Sequence, residues 1–313
     1  MRKSLIAGLV WCGICCAQAP AAETPAITHR FLAIDESRGQ ILFVDENNPS
    51  KNWVIATPNK CRDYQLIGNR QLLLNAPDGY LVYSLETRRL VKELHNTRFG
   101  GAVSARRLAN GHTIIGCNKD GITFHELGAD DAILRTATFP ALNTLRLARM
   151  TAQGTLLFGC NGVFFAEANF DGKILRQIEL PGAKHIYQVL RKPNGNWLVT
   201  TGYGHSFVEL DPAGKELRRL GGDPSPTAMN LRFFAGFQVL KNGNTVVCNW
   251  TGHGRDDSKK GAQLVEFNGE GKPVWTWHDP ATAGTLHGII ILDDLDTSAP
   301  NDDSSGLLGP MQP

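Results

Sequence analysis

Residues 185–217 read HIYQVLRKPNGNWLVTTGYGHSFVELDPAGKEL and contain one complete copy of a repeated pattern. It contains apolar runs of strand length, separated by turns that include the Asn194-Gly195 and Gly214-Lys215 pairs. Such pairs join antiparallel strands because glycine adopts positive φ at little steric cost. The stretch therefore predicts one unit of four short strands joined by hairpins.

The second hairpin of this unit recurs along the whole chain. Its turn falls at Asp45, Glu86, Gly128, Asn169, Asp211 and Asn268, with steps of 41, 42, 41, 42 and 57 residues. The first hairpin also recurs upstream of these turns, in residues 66–75, 106–118, 149–161 and 239–249. A period of about 40 residues with four strands per unit is typical of propeller blades, which bury their faces only by stacking on neighbours.

The strand count also predicts how the ring closes. The first unit, residues 31–55, has three strand-like runs and lacks an innermost strand, whereas LHGIIIL, residues 286–292, has the shape of an innermost strand that no blade follows. We therefore expect an all-β, six-bladed β-propeller of four-stranded antiparallel blades. Its C-terminal strand would complete the N-terminal blade and remove the open sheet edges at the seam.

The N-terminus has the composition of a secretory signal peptide. Arg2 and Lys3 precede an apolar run from Leu5 to Cys16, and small residues follow it. The run is shorter than the roughly 20 residues that span a bilayer, so no transmembrane segment is expected. We expect a secreted or periplasmic protein. Lipid attachment at Cys12, Cys15 or Cys16 is the rival interpretation, although none of them follows the Leu-x-Ala/Gly pattern that lipid attachment favours.

Three segments follow from these patterns. The C-terminal segment is rich in Asp, Ser, Pro and Gly and therefore predicts disorder. The expected segments are a signal peptide over 1–22, the propeller over 23–292 and a disordered acidic tail over 293–313.

The charge balance of the chain narrows the choice of partners. Of 32 basic residues, Arg2 and Lys3 leave with the signal, and the 30 that remain equal the 30 acidic ones. With this balance the chain has no excess of positive charge that would bind nucleic acid. We also expect a monomer.

The cysteines of the mature chain are expected to be small buried apolar residues. Cys117, Cys160 and Cys248 end equivalent strands of different blades, which lie too far apart for most direct pairing. Together with Cys61 they leave a structural disulfide or metal cluster as the alternative.

Propeller geometry indicates where a site would lie. The N-terminal ends of the innermost strands share one tunnel mouth with the loops between second and third strands. Aligning the innermost strands brings two histidines, two arginines and one aspartate to this mouth: Arg62, Asp63, Arg146, His185 and His287. Imidazole titrates near neutral pH, so His185 and His287 are the catalytic candidates if the protein is an enzyme. A structural, hydrogen-bonded role for each histidine is the alternative.

The loops add further candidate binding residues. The loop of the sixth unit, residues 249–261, is longer than its counterparts and is a candidate lid or ligand contact, with a plain surface excursion as the alternative. The loop residues that we predict to bind a ligand are Tyr203, His205, Asn249, Trp250 and His253.

The chain resembles a known superfamily. HIYQVLRKPNGNWLVTTG (185–202) resembles the H-D-x-x-x-L-x-x-N-G-N strand and turn of arylsulfotransferase-like propellers. The hairpins ending in Asp-Pro-Ala-Gly-Lys and Gly-Glu-Gly-Lys resemble quinoprotein (PQQ)-like repeats, and the likeness covers nearly all of residues 30–292. A pocket histidine carries sulfate in arylsulfotransferases, so the resemblance implies that role for His185 or His287. Ile186 stands where the motif has Asp.

Two hypotheses for function follow. The first is a propeller that binds a small polar ligand, a glycan or a protein partner at the mouth of its tunnel. The second is an enzyme of arylsulfotransferase or hydrolase/lactonase type that uses a mouth histidine. The vicinal cysteine pair that accompanies quinone cofactors is present only within the signal, as Cys15-Cys16, so no quinone is expected. The sequence identifies no metal ligands, and the cofactor stays unknown.

Overall fold

Short apolar runs that end at turns form the strands of a six-bladed β-propeller, as the repeat predicts. The computed structural model describes residues 26–58, 60–222 and 229–312, and within these ranges 24 strands form six four-stranded antiparallel sheets, the blades. The predicted signal peptide, residues 1–22, lies outside the described residues. Within them, no helix is long and apolar enough to cross a bilayer.

The blades follow the chain in order, each from its innermost to its outermost strand, except at the seam. Blade 1 has the strand order β24-β1-β2-β3, and blades 2 to 6 run from β4–β7 to β20–β23. The strands are β1 Arg30–Asp35, β2 Gln40–Asp45, β3 Trp53–Ala56, β4 Tyr64–Leu66, β5 Gln71–Ala76, β6 Gly79–Ser84, β7 Leu90–His95, β8 Ala102–Arg107, β9 Thr113–Asn118, β10 Ile122–Leu127, β11 Ile133–Phe139, β12 Ala148–Met150, β13 Leu156–Gly159, β14 Phe164–Ala168, β15 Ile174–Glu179, β16 Val189–Arg191, β17 Trp197–Thr200, β18 Ser206–Leu210, β19 Glu216–Gly221, β20 Phe233–Val239, β21 Thr245–Trp250, β22 Leu264–Phe267, β23 Pro273–Trp277, β24 Leu286–Ile291, β25 Asn301–Asp302 and β26 Gly309–Pro310. Short 3-10 helices cover Pro49–Lys51, Thr97–Phe99 and Asp257–Lys260.

The predicted closure of the ring is confirmed. β24 pairs antiparallel with β1, with Leu32 opposite Ile290, and so supplies the innermost strand of the N-terminal blade. Aromatic packing continues across the seam to blade 6, where the rings of Phe31 and Trp277 are 5.4 Å apart. Both ends of the propeller chain are thus held in one sheet, in which β1 has a partner strand on each side.

The cysteines lie in the packed interior. Cys61, Cys117, Cys160 and Cys248 are all buried and belong to the apolar clusters between strands. Burial raises the pKa of the Cys61 thiol to about 12. The sequence prediction of small buried apolar residues is confirmed, and a thiol of this kind is a poor nucleophile.

The prediction of a disordered tail is wrong. Residues 293–312 are ordered and carry the β25-β26 hairpin, whose Asn301 is buried. Asp303, in the turn of this hairpin, accepts hydrogen bonds from Arg106 and Arg149 at 2.9 and 2.5 Å. The tail is polar because it binds the tunnel through ion pairs, and composition alone does not distinguish such a segment from a solvated one.

Candidate functional site

The backbone at the tunnel mouth is positioned by asparagines that end the second strand of several blades. The Oδ1 atom of Asn75 accepts hydrogen bonds from the N–H groups of Arg62 and Asp63, at 2.8 and 2.9 Å. Its Nδ2 atom donates to the carbonyl of Ala102 in the next blade, at 3.1 Å. This amide therefore fixes the start of one innermost strand relative to its neighbour.

Asn249 has the same structural role in blade 6 and is not free to bind a ligand. Its Oδ1 atom accepts from the Arg232 N–H at 2.7 Å, and its Nδ2 atom donates to the carbonyls of Ala262 and Asn230 at 2.8 and 3.3 Å. The side chain is buried, and these three bonds use most of its capacity. The sequence correctly predicts that Asn249 lies near the mouth, but it does not predict that the side chain bonds to the backbone.

Two mouth residues are joined through Glu36, in the loop after β1. The Nε2 atom of His287 lies 2.6 Å from Oε2 of Glu36, and the Nε atom of Arg62 donates to Oε1 at 2.9 Å. Since an ionised carboxylate only accepts, the proton of the neutral imidazole lies on Nε2 and Nδ1 carries a lone pair. That Nδ1 atom is buried and has no hydrogen-bond partner within the described residues.

The protonation states of this pair follow from burial and from Arg62. Burial by itself would raise the pKa of Glu36, but its bonds to His287 and Arg62 hold that pKa far below its usual range. Burial lowers the pKa of His287 to about 4, and the favourable charge of Glu36 offsets this only in part. At neutral pH the pair is therefore a carboxylate and a neutral imidazole with one accepting nitrogen turned away from the carboxylate.

A second pair lies beside the first. The Nη2 atom of Arg146 is 3.1 Å from Nδ1 of His185. A guanidinium only donates, so His185 accepts at Nδ1 and carries its proton on Nε2. Burial and the neighbouring charges of Arg146 and Lys184 lower the pKa of His185. The residue has a φ of 64°. Its carbonyl oxygen lies so close to Gly202 that a Cβ at that position would approach it to 2.3 Å.

Arg146 is the mouth cation without an acidic partner. Arg62 has Glu36, but no carboxylate within the described residues lies within 4.0 Å of the Arg146 guanidinium, and its Nε atom is buried without a hydrogen bond. Burial lowers the pKa of Arg146, and the nearby Arg62 acts in the same direction. Its guanidinium is thus a donor group with capacity for an anion.

Tyr187 lies beneath these charged groups. Its ring stacks on His287 with 5.3 Å between centroids and an interplanar angle of 21°. The side chain is fully buried, yet its hydroxyl has no hydrogen-bond partner in the described chain. Burial raises the pKa of Tyr187, so the hydroxyl stays protonated and can donate. We call the following six residues the mouth site: Glu36, Arg62, Arg146, His185, Tyr187 and His287.

An aromatic wall borders the mouth site. Tyr203 contacts His185 and Phe233 with centroid distances of 5.3 and 4.8 Å, and Trp250 contacts Phe233 and His287 at 5.4 and 5.5 Å. Tyr203 is 43% exposed, whereas Trp250 is buried and its Nε1 atom has no partner in the described residues. The wall therefore offers aromatic ring faces beside a recess. Several polar atoms of this recess have no hydrogen-bond partner among the described residues.

The long loop of blade 6 borders this recess. His253, on that loop, packs its ring 4.6 Å from that of Trp250 and lies 3.8 Å from Glu36. Its side chain is 76% exposed. His205 lines the same cleft together with Tyr203 and Trp250.

Asp63 does not face the mouth. It is buried within the tunnel, where it accepts from the Ser104 hydroxyl and from Arg149 at 3.2 Å. It also lies 3.7 Å from Arg106. Asp63 thus balances the charge of the tunnel arginines, so its assignment to a ligand site at the mouth is wrong.

Sequence reasoning missed three residues of this region, Glu36, Tyr187 and Phe233. Glu36 occupies the loop between β1 and β2, which are the second and third strands of blade 1. Because the chain enters this blade at its second strand, the loop was not recognised as the counterpart of the mouth loops in the other blades. The position of Glu36 could have been found from the repeat, since the same loop supplied candidate binding residues in other blades. Tyr187 and Phe233 belong to apolar runs and resemble ordinary core residues.

The mouth site has the chemistry of anion binding and proton transfer. It offers donors from Arg146, His185 and Tyr187 and an accepting nitrogen on His287. No group of three or more His, Cys, Asp or Glu side chains suited to a metal ion occurs among the residues described.

Comparison with known proteins establishes the fold and nothing finer. No family model matches the chain, and no curated protein matches it. A protein of unknown function from Bacteroides caccae is similar in structure, with 20% identity, a TM-score of 0.70 and coverage of 86% of this chain and all of that one. A streptogramin B lyase has 14% identity and a TM-score of 0.57 over 83% of both chains. Virginiamycin B lyase from Staphylococcus aureus has 11% identity and a TM-score of 0.53, covering 80% of this chain and 85% of its own. The chain is a β-propeller, similar in architecture to these proteins.

Proposed function

We propose that this propeller binds a small organic anion with an apolar or aromatic body at the mouth of its tunnel. The observation that carries the proposal is Arg146, a partly buried guanidinium that has no carboxylate partner within the described residues. A charge held out of water without a counter-charge costs several kcal/mol, a cost that a bound anion would offset. Tyr203 and Trp250 would contact the apolar body of that ligand.

The recess favours a small ligand over a glycan or a protein partner. Three polar groups have no hydrogen-bond partner among the described residues: the Tyr187 hydroxyl, Nδ1 of His287 and Nε1 of Trp250. They are buried and would be reached only by a compact molecule. A protein partner would contact the exposed rim instead. We further propose that the protein works in a secreted or periplasmic setting, on the strength of residues 1–22.

A thermal-shift screen tests this proposal. Benzoate, phenyl sulfate and phenyl phosphate should raise the melting temperature, whereas benzamide and phenol, which lack the charge, should not. The effect should disappear in Arg146→Gln and persist in Arg89→Gln, which removes an exposed arginine from the turn between β6 and β7. Equal responses to charged and neutral compounds would contradict the proposal.

A second candidate function is catalysis by proton transfer. The observation that favours it is the pairing of His287 with Glu36, which leaves one buried accepting nitrogen beside the proposed anion position. A histidine oriented by a carboxylate is a common general base. Group transfer of the arylsulfotransferase kind, hydrolysis, or elimination, which the lyase names of two structural neighbours suggest, would each need such a base. His287→Gln should then abolish turnover of a bound anion while leaving its affinity within about threefold; unchanged turnover would exclude this role.

A further inference from the structure

The tunnel end opposite the mouth site is closed by the chain itself. We call residues 297–311 the C-terminal hairpin. The carbonyl of Ser298 accepts from the Asn69 N–H of blade 2 at 2.8 Å, and that of Ser304 accepts from the Arg191 N–H of blade 5 at 3.3 Å. The hairpin therefore spans the tunnel from one side to the other.

Three side chains of the propeller converge on one carboxylate of this hairpin. Asp303 Oδ1 accepts from Arg106 Nη2 and Arg149 Nε, at 2.9 and 2.5 Å. Its Oδ2 accepts from Arg149 Nη2 and Gln188 Nε2, at 2.9 and 3.1 Å. Arg149 thus binds side-on with two parallel bonds, the preferred geometry for a carboxylate. We call Arg106, Arg149 and Gln188 the tail site.

The tail site is short of negative charge without the hairpin. Both arginines are 5% exposed, and among the described residues of the propeller body only Asp63 balances them. The remaining carboxylates, Asp302 and Asp303, belong to the hairpin. Two buried guanidinium groups facing one carboxylate would bind a replacement anion strongly once the hairpin leaves.

The hairpin is held mainly by polar contacts. Its two strands, β25 and β26, are two residues long, Leu307 is 52% exposed and Leu308 is only partly buried. Polar contacts can be replaced by an equivalent anion, whereas a buried apolar face cannot. Asp303 and Leu308 also line a cavity that extends along the tunnel to Arg62, so departure of the hairpin would open the tunnel at its second end.

We propose that the tail site is a second ligand site, for a carboxylate, and that the C-terminal hairpin is a removable plug whose Asp303 occupies it. The site is separate from the mouth site, and its test does not depend on the function proposed above. The propeller would then have two anion sites, one at each end of its tunnel, of which the second is filled by its own chain.

Loss and rescue of the carboxylate test the site. Asp303→Ala should lower the melting temperature, and formate or acetate should restore it in a saturable manner relative to chloride at equal ionic strength. Addition of Arg149→Gln to this variant should abolish the response, and the exposed neighbour variant Ser305→Ala should behave as the unmodified protein. A melting temperature of Asp303→Ala that responds to formate no more than to chloride would overturn the carboxylate site.

Hydrogen exchange on the unmodified protein tests the plug, whether or not the variant folds. The amides of Asn69 and Arg191 donate to hairpin carbonyls and report directly on its departure. Formate at high concentration should accelerate their exchange several-fold over chloride at equal ionic strength, while amides of central strands such as β9 keep their rates. Unchanged exchange at both amides would show that the hairpin is a permanent part of the fold and would overturn the plug.

Discussion

The Nε2 atom of His287 lies 2.6 Å from Oε2 of Glu36, which ties the last strand of the ring to the loop that follows the first. Closure of the propeller and assembly of the mouth site therefore occur at the same seam. A chain that fails to close would lose both the blade and the carboxylate that orients the histidine.

Truncation after Ala283 should destroy this seam. It removes β24 and leaves an unpaired edge on β1, so we expect aggregation or loss of cooperative unfolding. Chemical denaturation followed by circular dichroism measures this. A soluble truncated protein with a normal cooperative transition would contradict the closure.

The asparagine at the mouth of blade 6 should contribute to stability. Asn249→Ala removes three hydrogen bonds of a buried side chain and should cost about 2–3 kcal/mol of unfolding free energy. Asn161→Ala is the matched control, because Asn161 ends the equivalent region of blade 4 and its buried Oδ1 atom has no hydrogen-bond partner among the residues described. It should cost less than about 0.5 kcal/mol. If both variants lost the same free energy of unfolding in urea denaturation, the three hydrogen bonds of Asn249 would not stabilise the fold.

The buried hydroxyl of Tyr187 should lower the stability of the fold, because it is a polar group of the mouth site that makes no compensating hydrogen bond within the described residues. Tyr187→Phe should therefore raise the free energy of unfolding by about 1 kcal/mol. Tyr64→Phe is the control, since the Tyr64 hydroxyl donates to the Leu32 carbonyl at 2.9 Å and its loss should cost about 1 kcal/mol. Urea midpoints of the two variants should therefore shift in opposite directions. A destabilised Tyr187→Phe protein would show that the hydroxyl has a structural role.

The buried histidine of the mouth site should make stability depend on pH. The folded-state pKa of His287 is lowered to about 4 from 6.5, so the unfolded chain binds the proton first as pH falls. Stability contributed by the neutral imidazole is complete above about pH 6.5 and is lost towards pH 4, by up to about 3 kcal/mol.

Comparison with His287→Gln isolates this effect, because the variant should lack the loss between pH 6.5 and 4. The exposed His95 is the control. The hydrogen bond that its Nδ1 atom donates to the Asp78 carboxylate raises the pKa of His95, so its contribution is lost as pH rises instead. Parallel stability curves for the unmodified protein and His287→Gln would contradict the lowered pKa of His287.

The fold was predictable because each blade repeats a local pattern. Apolar runs and Gly-containing hairpins indicate strands without knowledge of distant contacts, and a strand count is enough to predict the pairing of β24 with β1. The tail was not predictable in this way. Its position in the fold depends on the ion pair between Asp303 and Arg149, which lies more than 150 positions earlier in the chain. The composition of a local segment does not predict such a distant ion pair.

The site was predictable by position but not by direction. Arg62, Arg146, His185 and His287 do meet at one end of the tunnel. Asp63 neighbours this set in sequence, yet its side chain turns into the tunnel because successive strand residues point to opposite sides.

Anion binding at the tunnel mouth can be measured by calorimetric titration of the unmodified chain, Arg146→Gln and Arg89→Gln with the aryl anion that stabilises the protein most. We expect the unmodified chain and Arg89→Gln to bind with the same Kd, and Arg146→Gln to bind at least tenfold more weakly, because a charge-assisted bond to a ligand contributes about 1.5–3 kcal/mol. Equal affinity in Arg146→Gln, or no binding of any aryl anion by the unmodified chain, would contradict an anion site at the tunnel mouth.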